Sequence, residues 1–201
     1  MQQIQRSSER QKEILTATLS LVGKHGVQNV TIAQICQQSG ASVGSVYHHF
    51  GDREGILYAL YRESFASCFE QIREAVVVAE SAEAGIQALV FTYLQWVEAN
   101  PERASFIYEA SQGSLLRRYV AEIQAFKGAF YADIFAWMGP FIARGEIIAL
   151  PPWAYDAIMM GPAHEFARRW LGGFRDMPMG EAREIIAAAV WRGVGGKTAV
   201  I

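Results

Sequence analysis

Residues 31–50, TIAQICQQSGASVGSVYHHF, contain two short apolar patterns on either side of one glycine, Gly40. In the first half, Ile32, Ile35 and Cys36 have the spacing of residues on one helix face. The second half repeats this spacing and extends it by one more turn: Val43, Val46, Tyr47 and Phe50. The stretch therefore predicts two short amphipathic helices joined by a glycine turn.

Both predicted helices have polar residues suited to capping their first turns. Thr31 precedes the first apolar residue of the first helix and has Gln34 three positions later, which is the spacing of a capping box. Ser42 stands in the same place before the second helix, with Ser45 three positions later. Two capped helices around a tight glycine turn form a helix-turn-helix unit.

The outward positions of the second helix are small or can form hydrogen bonds, and none is acidic: Ser42, Gly44, Ser45, His48 and His49. Short side chains let a helix backbone approach the wall of a DNA groove, and a major groove about 12 Å wide admits one helix. The pattern favours DNA as the target. It is also compatible with an ordinary pair of helices inside a larger helical bundle.

Residues 7–62 resemble the DNA-binding domain of the TetR family of bacterial transcription regulators. The resemblance rests on three segments, in chain order LVGKHGVQNVTI, IAQICQQSGASVGSVYHHF and GDREGILYAL. It implies an all-α fold with an N-terminal three-helix helix-turn-helix DNA-binding domain, residues 1–52. A larger C-terminal helical domain, residues 53–201, is expected to bind an effector and to dimerise.

The resemblance also implies which residues contact DNA. Relatives often have lysine where this chain has Val43, so a phosphate contact is missing here or is replaced by methyl packing against a thymine. Arg53 stands where relatives often carry a lysine against phosphate. The predicted DNA-contacting set is Thr31, Ser42, Val43, Gly44, Ser45, Tyr47, His48 and Arg53.

By the same resemblance, the chain is expected to be a ligand-responsive transcriptional regulator. The expected form is a homodimeric repressor that binds a palindromic operator in double-stranded DNA and is released by a small, largely hydrophobic or aromatic effector. An alternative is a DNA-binding protein of the same fold whose second domain is filled. Such a protein would respond to a protein partner or to no ligand.

The charge of the chain is divided unevenly. Its 201 residues carry a net charge of −2, but residues 1–62 hold six lysines and arginines against four acidic residues, and residues 63–201 hold twelve against sixteen. The positive excess therefore lies in the DNA-binding part. Because this excess is small, binding by one subunit is expected to be modest, salt-dependent and assisted by a second copy.

A first helix is predicted to begin at Ser7 or Ser8, whose hydroxyls suit a cap. Its inner stripe is expected to contain Ile14, Leu15, Thr18, Leu19 and Val22. Residues 1–6 are polar and are predicted to be a loose arm, with Arg6 and Arg10 as candidates for contact with the minor groove.

A longer helix is predicted to begin after Asp52, which suits its cap. Residues with helical spacing follow on one side: Ile56, Leu57, Leu60, Tyr61, Ser64, Phe65, Cys68 and Phe69. This helix is long enough to leave the first domain and enter the second. It is predicted to transmit a switch between the two domains, and the alternative is a core helix with no such role.

The remainder of the chain has helical periodicity and no strand-like alternation. Predicted helices cover residues 83–99, 102–110, 114–138, 153–171 and 179–192. Gly139-Pro140 is expected to end the third of these helices. Pro162 is expected to kink the fourth, because proline removes an amide and clashes with the preceding turn.

Aromatic side chains in this part predict an effector site. The set is Tyr93, Trp96, Phe106, Tyr108, Phe130 and Trp137, with Gln95 and Glu109 as further polar candidates. The family resemblance implies that the last two helices pair with those of a second subunit in a four-helix bundle. The predicted dimer-interface residues are Ala157, Gly161, His164, Phe166, Ile186, Val190 and Trp191.

Catalysis, metal binding and a cofactor are not expected. The histidines have no nucleophile with a paired acid nearby in the sequence, and Cys36 and Cys68 are isolated, without the spacing of metal ligands. No apolar segment at the N-terminus resembles a signal peptide, and no apolar run has the length of a membrane helix. The chain is therefore expected to be cytoplasmic, without a membrane partner.

Overall fold

The computed structural model describes residues 2–111 and 115–196, and the regular secondary structure of this part of the chain is helical apart from one isolated antiparallel bridge between Ile147 and Gly195. The predicted all-α fold is thereby confirmed. The α-helices are α1 Gln2–His25, α2 Ile32–Ser39, α3 Val43–Phe50, α4 Arg53–Val77, α5 Ala82–Ala99, α6 Pro101–Ser111, α7 Val120–Ala143, α8 Pro152–Tyr155, α9 Gly161–Leu171 and α10 Met179–Val194. Short 3-10 turns at Val27–Asn29 and Arg117–Tyr119 precede α2 and α7, and a π-helical segment, Asp156–Met160, joins α8 to α9.

The chain divides into two compact units, and neither is continuous in sequence. The N-terminal unit contains residues up to Ala66 together with Glu102–Ile123, and the C-terminal unit contains Ser67–Pro101 and the chain from Gln124 onward. This division differs from the predicted boundary after residue 52. The first half of α4 and nearly all of α6 belong with the helix-turn-helix, because their side chains contact it.

Helix α1 begins earlier than predicted. It includes Ser7 and Ser8, which were expected to cap it, and extends back to Gln2. Glutamine and arginine have high helix propensity, so residues 2–6 continue the helix and no loose arm forms within them. Arg6 and Arg10 therefore lie on a helix, where Arg10 pairs with Glu13 at 2.8 Å.

The predicted core of the N-terminal unit is present. In α1, Ile14, Leu15, Thr18 and Val22 are buried, and Leu19, also predicted, is half-buried. The first half of α4 contributes buried residues as well: Ile56, Leu57, Leu60, Tyr61, Ser64 and Phe65. Asp52 caps α4 as expected, because its Oδ1 accepts a hydrogen bond from the Gly55 N–H at 2.8 Å.

Helix α7 differs from its prediction at both ends. The predicted start at Ser114 lies outside the described residues, and the chain from Leu115 to Tyr119 forms a turn in which both leucines are buried. At the other end α7 continues through Gly139 and Pro140 to Ala143. A proline in the final turn removes only one helical hydrogen bond, so the helix tolerates it there. Gly145, at φ +75°, turns the chain just beyond.

Pro162 was predicted to kink its helix, and the structure has a π-helical segment just before it. The five residues from Asp156 to Met160 form a π-helical turn immediately before Gly161 and Pro162. A π turn accommodates the ring and the missing amide by shifting the hydrogen-bond register, so the helical path from Pro152 to Leu171 continues.

Two tryptophans organise the core of the C-terminal unit. Trp96 is 1% exposed, and its Nε1 donates to Ser67 Oγ at 3.2 Å. Trp137 donates from Nε1 to the Ala79 carbonyl at 3.2 Å. The edge of the Trp137 ring fills the space beside Gly85, where any Cβ would collide with it. Gly85 therefore sets how closely α5 and α7 approach.

Replacing Gly85 by alanine should destabilise the protein by about 1–3 kcal/mol, because the new methyl group meets a ring that is held by its own hydrogen bond. Thermal and urea unfolding measure the effect. Gly128→Ala in α7 is the matched control, since nothing lies within 4 Å of its Cβ position. There the higher helix propensity of alanine should stabilise the protein slightly. Equal unfolding midpoints for the two variants would contradict the role of Gly85.

Candidate nucleic-acid interface

The first helix of the predicted helix-turn-helix has the expected capping box. Thr31 Oγ1 accepts from the Gln34 N–H at 3.3 Å, and Gln34 Oε1 accepts from the Thr31 N–H at 2.8 Å. At its other end α2 stops at Gly40, whose φ of +68° is the left-handed conformation that glycine adopts without cost. The predicted caps and turn are confirmed, and they set the start of α3.

Helix α3 is capped by Ser42, whose Oγ accepts from the Ser45 N–H at 3.1 Å. The residues of its apolar pattern do not all lie on its buried face. Val46 is fully buried, but Val43 is 53% exposed and Tyr47 is 50% exposed. Val43 and Tyr47, both in the predicted DNA-contacting set, are therefore accessible, because the apolar arc of α3 is wider than the strip that packs against the unit.

The outward face of α3 consists of Val43, Gly44, Tyr47 and His48, all of them exposed. Ser42 is exposed at the start of the helix, Ser45 is half-buried, and Thr31 is exposed at the start of α2. Most of the predicted DNA-contacting set is therefore accessible on the helix-turn-helix. Such a face can bring a helix N-terminus and several hydrogen-bonding groups against a groove.

Arg53 is engaged in a different way. Its Nε donates to the Val30 carbonyl at 2.6 Å, and its Nη2 donates to the Val27 carbonyl. These bonds tie the first turn of α4 to the chain that enters α2. A structural role for this guanidinium was not apparent from the sequence, because it depends on a contact between residues 23 and 26 positions apart.

Three side chains from the 102–123 segment contact the helix-turn-helix part of the N-terminal unit. Glu109 Oε1 accepts from the Val27 N–H at 3.1 Å. Arg118 pairs with Asp52 at 2.8 Å, and the ring of Tyr119 stacks on Tyr58 with centroids 4.2 Å apart. Sequence reasoning missed this arrangement, and it placed Glu109 among the candidates for effector contact.

The Asp52 carboxylate has two functions at the start of α4. It caps the Gly55 amide and accepts two hydrogen bonds from Arg118. The Gly55 amide, with the Arg118 guanidinium as a further cause, holds the pKa of Asp52 below its ordinary value. The carboxylate stays ionised at neutral pH, so the cap and the ion pair persist together.

The residues predicted to form one effector site are divided between the two units. Phe106 and Tyr108 belong to the N-terminal unit, where Phe106 is 1% exposed. The C-terminal unit holds Tyr93, Trp96, Phe130 and Trp137. Gln95 is exposed on α5. The structure therefore does not bring the six aromatic residues into one unit.

Phe69 joins the aromatic residues of the C-terminal unit, with its ring centroid 5.4 Å from Phe130 and 5.1 Å from Tyr131. His164 contacts the Tyr93 ring at 4.9 Å. Burial lowers the pKa of the His164 imidazole, which keeps it neutral at physiological pH. His164 therefore forms part of the same polar and aromatic interior as Tyr93.

The predicted dimer-interface residues have mixed exposure. Ala157 is exposed, Val190 is 3% exposed and belongs to the core, and the remaining members are half-buried: Gly161, His164, Phe166, Ile186 and Trp191. The largest exposed apolar side chains in this part were not in the predicted set. They are Trp153, Phe174 and Ile185, which are 78%, 70% and 50% exposed.

Cys36 is half-buried and Cys68 is buried, and both are free thiols. Burial raises the pKa of the Cys68 thiol to about 12, which leaves it protonated and unreactive. Among the described residues, no group of three or more His, Cys, Asp or Glu side chains could hold a metal ion. Within the same residues, no helix has the length and apolar character needed to span a membrane.

A capped helix pair around a left-handed glycine, with one face of the second helix exposed, defines a helix-turn-helix protein of the DNA-binding class. Residues 14–60 match the family model described as "Bacterial regulatory proteins, tetR family". The HTH-type transcriptional regulator BetI of Escherichia coli (strain K12 / DH10B) is 35% identical over 89 residues, which are 41% of this chain and 44% of that protein. These matches confirm the TetR-family resemblance, although the match spans less than half the length of these curated relatives.

Solved structures extend the likeness in fold to nearly the whole chain. A TetR family transcription regulator from Marinobacter aquaeolei VT8 has a TM-score of 0.81 and 20% identity, covering 98% of this chain and 100% of that one. The transcriptional regulator FadR from Bacillus subtilis, in complex with stearoyl-CoA, has a TM-score of 0.78 and 17% identity, covering 90% and 98%. At these identities the likeness establishes the fold.

The substitution Gly44→Ala should change stability and DNA binding in opposite directions. A methyl group at this exposed position meets only Ser42 Oγ at 4.0 Å, so higher helix propensity should stabilise the free protein by roughly 0.5 kcal/mol. If α3 reads DNA with this face, the same methyl group would meet the groove wall and weaken binding about tenfold, on the order of 1.4 kcal/mol. Thermal unfolding and fluorescence anisotropy with labelled duplex DNA measure the two effects. Unchanged affinity would show that α3 does not present this face to DNA.

Proposed function

We propose that this protein is a transcriptional regulator that reads double-stranded DNA with α3. The observation that carries the proposal is the outward face of α3, where Val43, Gly44, Tyr47 and His48 are exposed beside a capped helix N-terminus. The Ser45 N–H is bonded to Ser42 Oγ, but the amides of Val43 and Gly44 have no partner within the helix, so they and the Ser42 O–H can donate to phosphates. The exposed Val43 methyl groups suit contact with a thymine.

The proposed functional form is a homodimer on a palindromic operator. Its support is the small positive excess of residues 1–62, which makes one copy a weak DNA binder. The exposed Trp153, Phe174 and Ile185 provide apolar surface in the part of the chain where dimerisation is proposed. Two-fold pairing would set the two α3 helices against half-sites about 34–36 Å apart, or a multiple of that distance.

The proposed regulation is release by a small, largely hydrophobic or aromatic effector. The aromatic residues of the C-terminal unit, with Tyr93, His164 and the partners of Phe69, support a site of this chemistry. FadR of Bacillus subtilis, which shares the fold, is solved with an apolar acyl chain as part of its ligand, stearoyl-CoA. The effector would shift the population toward a conformation that fits the operator less well, and the output would be relief of repression.

Selection from a random-sequence duplex pool tests the DNA-reading proposal and supplies the operator. An enriched palindrome is the expected result. With this duplex, Tyr47→Ala should weaken binding to every sequence about tenfold through loss of a phosphate contact, whereas Ser45→Ala should change the preference at one base position. Competition binding with single-base operator variants measures both. Equal losses for the two substitutions across all variants would contradict this division of roles.

The effector proposal is tested with the same operator duplex and a panel of apolar and aromatic compounds, including fatty acyl-CoA esters. Release by one class of compound, at a concentration that also raises the unfolding temperature, is the expected result. If none of the compounds releases the protein from the operator, the alternative is favoured, in which the second domain is filled and responds to a protein partner or to no ligand. The DNA-reading proposal would stand in that case.

A further inference from the structure

The DNA-facing stretch of this chain lacks permanent positive charge. Between Lys24 and Arg53 the sequence contains no lysine and no arginine. Three of the chain's four histidines lie in the same interval: His25, His48 and His49. Protein–DNA affinity depends strongly on how many phosphates are neutralised by cations. In this interval only imidazoles can provide that charge.

The fixed cation after α3 is already engaged by the protein. Arg53 is half-buried, and its guanidinium donates to the carbonyls of Val30 and Val27. Lys24 lies in the last turn of α1, outside the helix-turn-helix. Any positive charge on α3 itself must therefore come from His48 or His49.

His48 and His49 have different environments although their rings are only 5.1 Å apart. His48 is exposed on the same face as Gly44 and Tyr47. His49 is half-buried, and its Nδ1 lies 3.4 Å from Nε2 of Gln11 in α1. This contact ties the His49 ring to α1. His48 is therefore the imidazole of α3 that an anion outside the protein can reach more readily.

The side chains around His48 and His49 provide no carboxylate partner for either ring among the described residues. Helix α2 carries no charged residue. In α1, Arg10 and Lys12 flank Gln11, and Arg10 is paired with Glu13. Among the described residues, no carboxylate forms an ion pair with either imidazole, so a charged His48 is not neutralised by this part of the protein.

The acidic groups that follow α3 are neutralised by other partners. Arg118 pairs with Asp52 at 2.8 Å and lies 3.8 Å from Glu54. His48 also lies in the last turn of α3, where the partial negative charge of the helix C-terminus favours a cation. The carboxylates of Asp52 and Glu54 therefore lie beside Arg118, and the exposed His48 ring is accessible to an anion outside the protein.

We propose that His48, in its imidazolium form, supplies the cationic phosphate contact of α3, so that operator binding takes up a proton and tightens as the pH falls. This inference rests on the proposed DNA-reading function. A phosphate beside the ring stabilises its protonated form, so the complex holds more protons than the free protein near neutral pH. Because imidazole changes charge between about pH 5 and pH 8, affinity should increase from about pH 8 to about pH 6.

The test uses fluorescence anisotropy with a fluorescein-labelled duplex enriched by this protein from a random-sequence pool. Wild-type protein should bind about fivefold to tenfold more tightly near pH 6 than near pH 8, at constant ionic strength. The dependence of affinity on salt should also be steeper near pH 6, by about 0.9 in the logarithmic slope for each His48 that contacts a phosphate. Two such contacts are expected for a dimer.

Three variants identify the group responsible. His48→Gln keeps a hydrogen-bonding side chain but cannot become charged, so it should lose the gain at low pH. His48→Lys carries a permanent charge and should bind tightly at both pH values. His25→Gln, which removes an exposed imidazole outside α3, should keep the wild-type pH dependence. Circular dichroism and thermal unfolding at both pH values check that each variant is folded.

The outcomes distinguish this inference from the function on which it rests. A pool in which no duplex is enriched contradicts the proposed function itself. An enriched duplex that wild-type protein binds equally at both pH values overturns the His48 proposal and leaves the DNA-reading proposal intact. A pH dependence that survives in His48→Gln but disappears in His49→Gln also overturns it, because the proton would then belong to the other ring.

Discussion

The backbone of Val27 is held from two sides, and this fixes the entrance to the helix-turn-helix. Its N–H donates to Glu109 Oε1 at 3.1 Å, and its carbonyl accepts from Nη2 of Arg53, whose Nε also donates to the Val30 carbonyl. The residues that contact this turn follow it by 26 and 82 positions in the chain. Since Arg53 comes directly after the helix-turn-helix, its bonds close residues 31–50 into a short loop with both ends fixed. The orientation of α3 depends on this closure.

The same contacts explain why the N-terminal unit is not continuous in sequence. Glu109 reaches the Val27 turn, while Arg118 and Tyr119 contact the first two turns of α4 through Asp52 and Tyr58. The exposed ion pair of Arg118 contributes little to stability by itself, because solvent screens it. The stacked rings and the buried Leu115 and Leu116 provide the apolar contact area that holds this segment in place.

Features that depend on neighbouring residues were predictable from the sequence. The capping box of Thr31, the cap at Ser42 and the left-handed Gly40 all involve residues at most four positions apart, so spacing alone identifies them. The outward orientation of Val43 and Tyr47 was not predictable from periodicity. The spacing identifies the apolar residues of the helix, but it does not show which of them the rest of the unit covers. The role of Arg53 and the placement of Phe106 and Tyr108 in the N-terminal unit depend on distant partners, which only the fold supplies.

The residue composition of α3 limits which interactions it could make with DNA. A lysine-rich reading helix gains affinity from counterion release whatever the sequence, so much of its binding energy is non-specific. Here α3 contains no lysine, arginine, aspartate or glutamate, and the backbone at Gly44 has no side chain in front of it. In the proposed complex, affinity would come from close approach, from the helix N-terminus, from the one cation proposed at His48 and from contacts that demand a good fit. Because short-range contacts fall off steeply with distance, a small displacement of α3 would weaken such a complex.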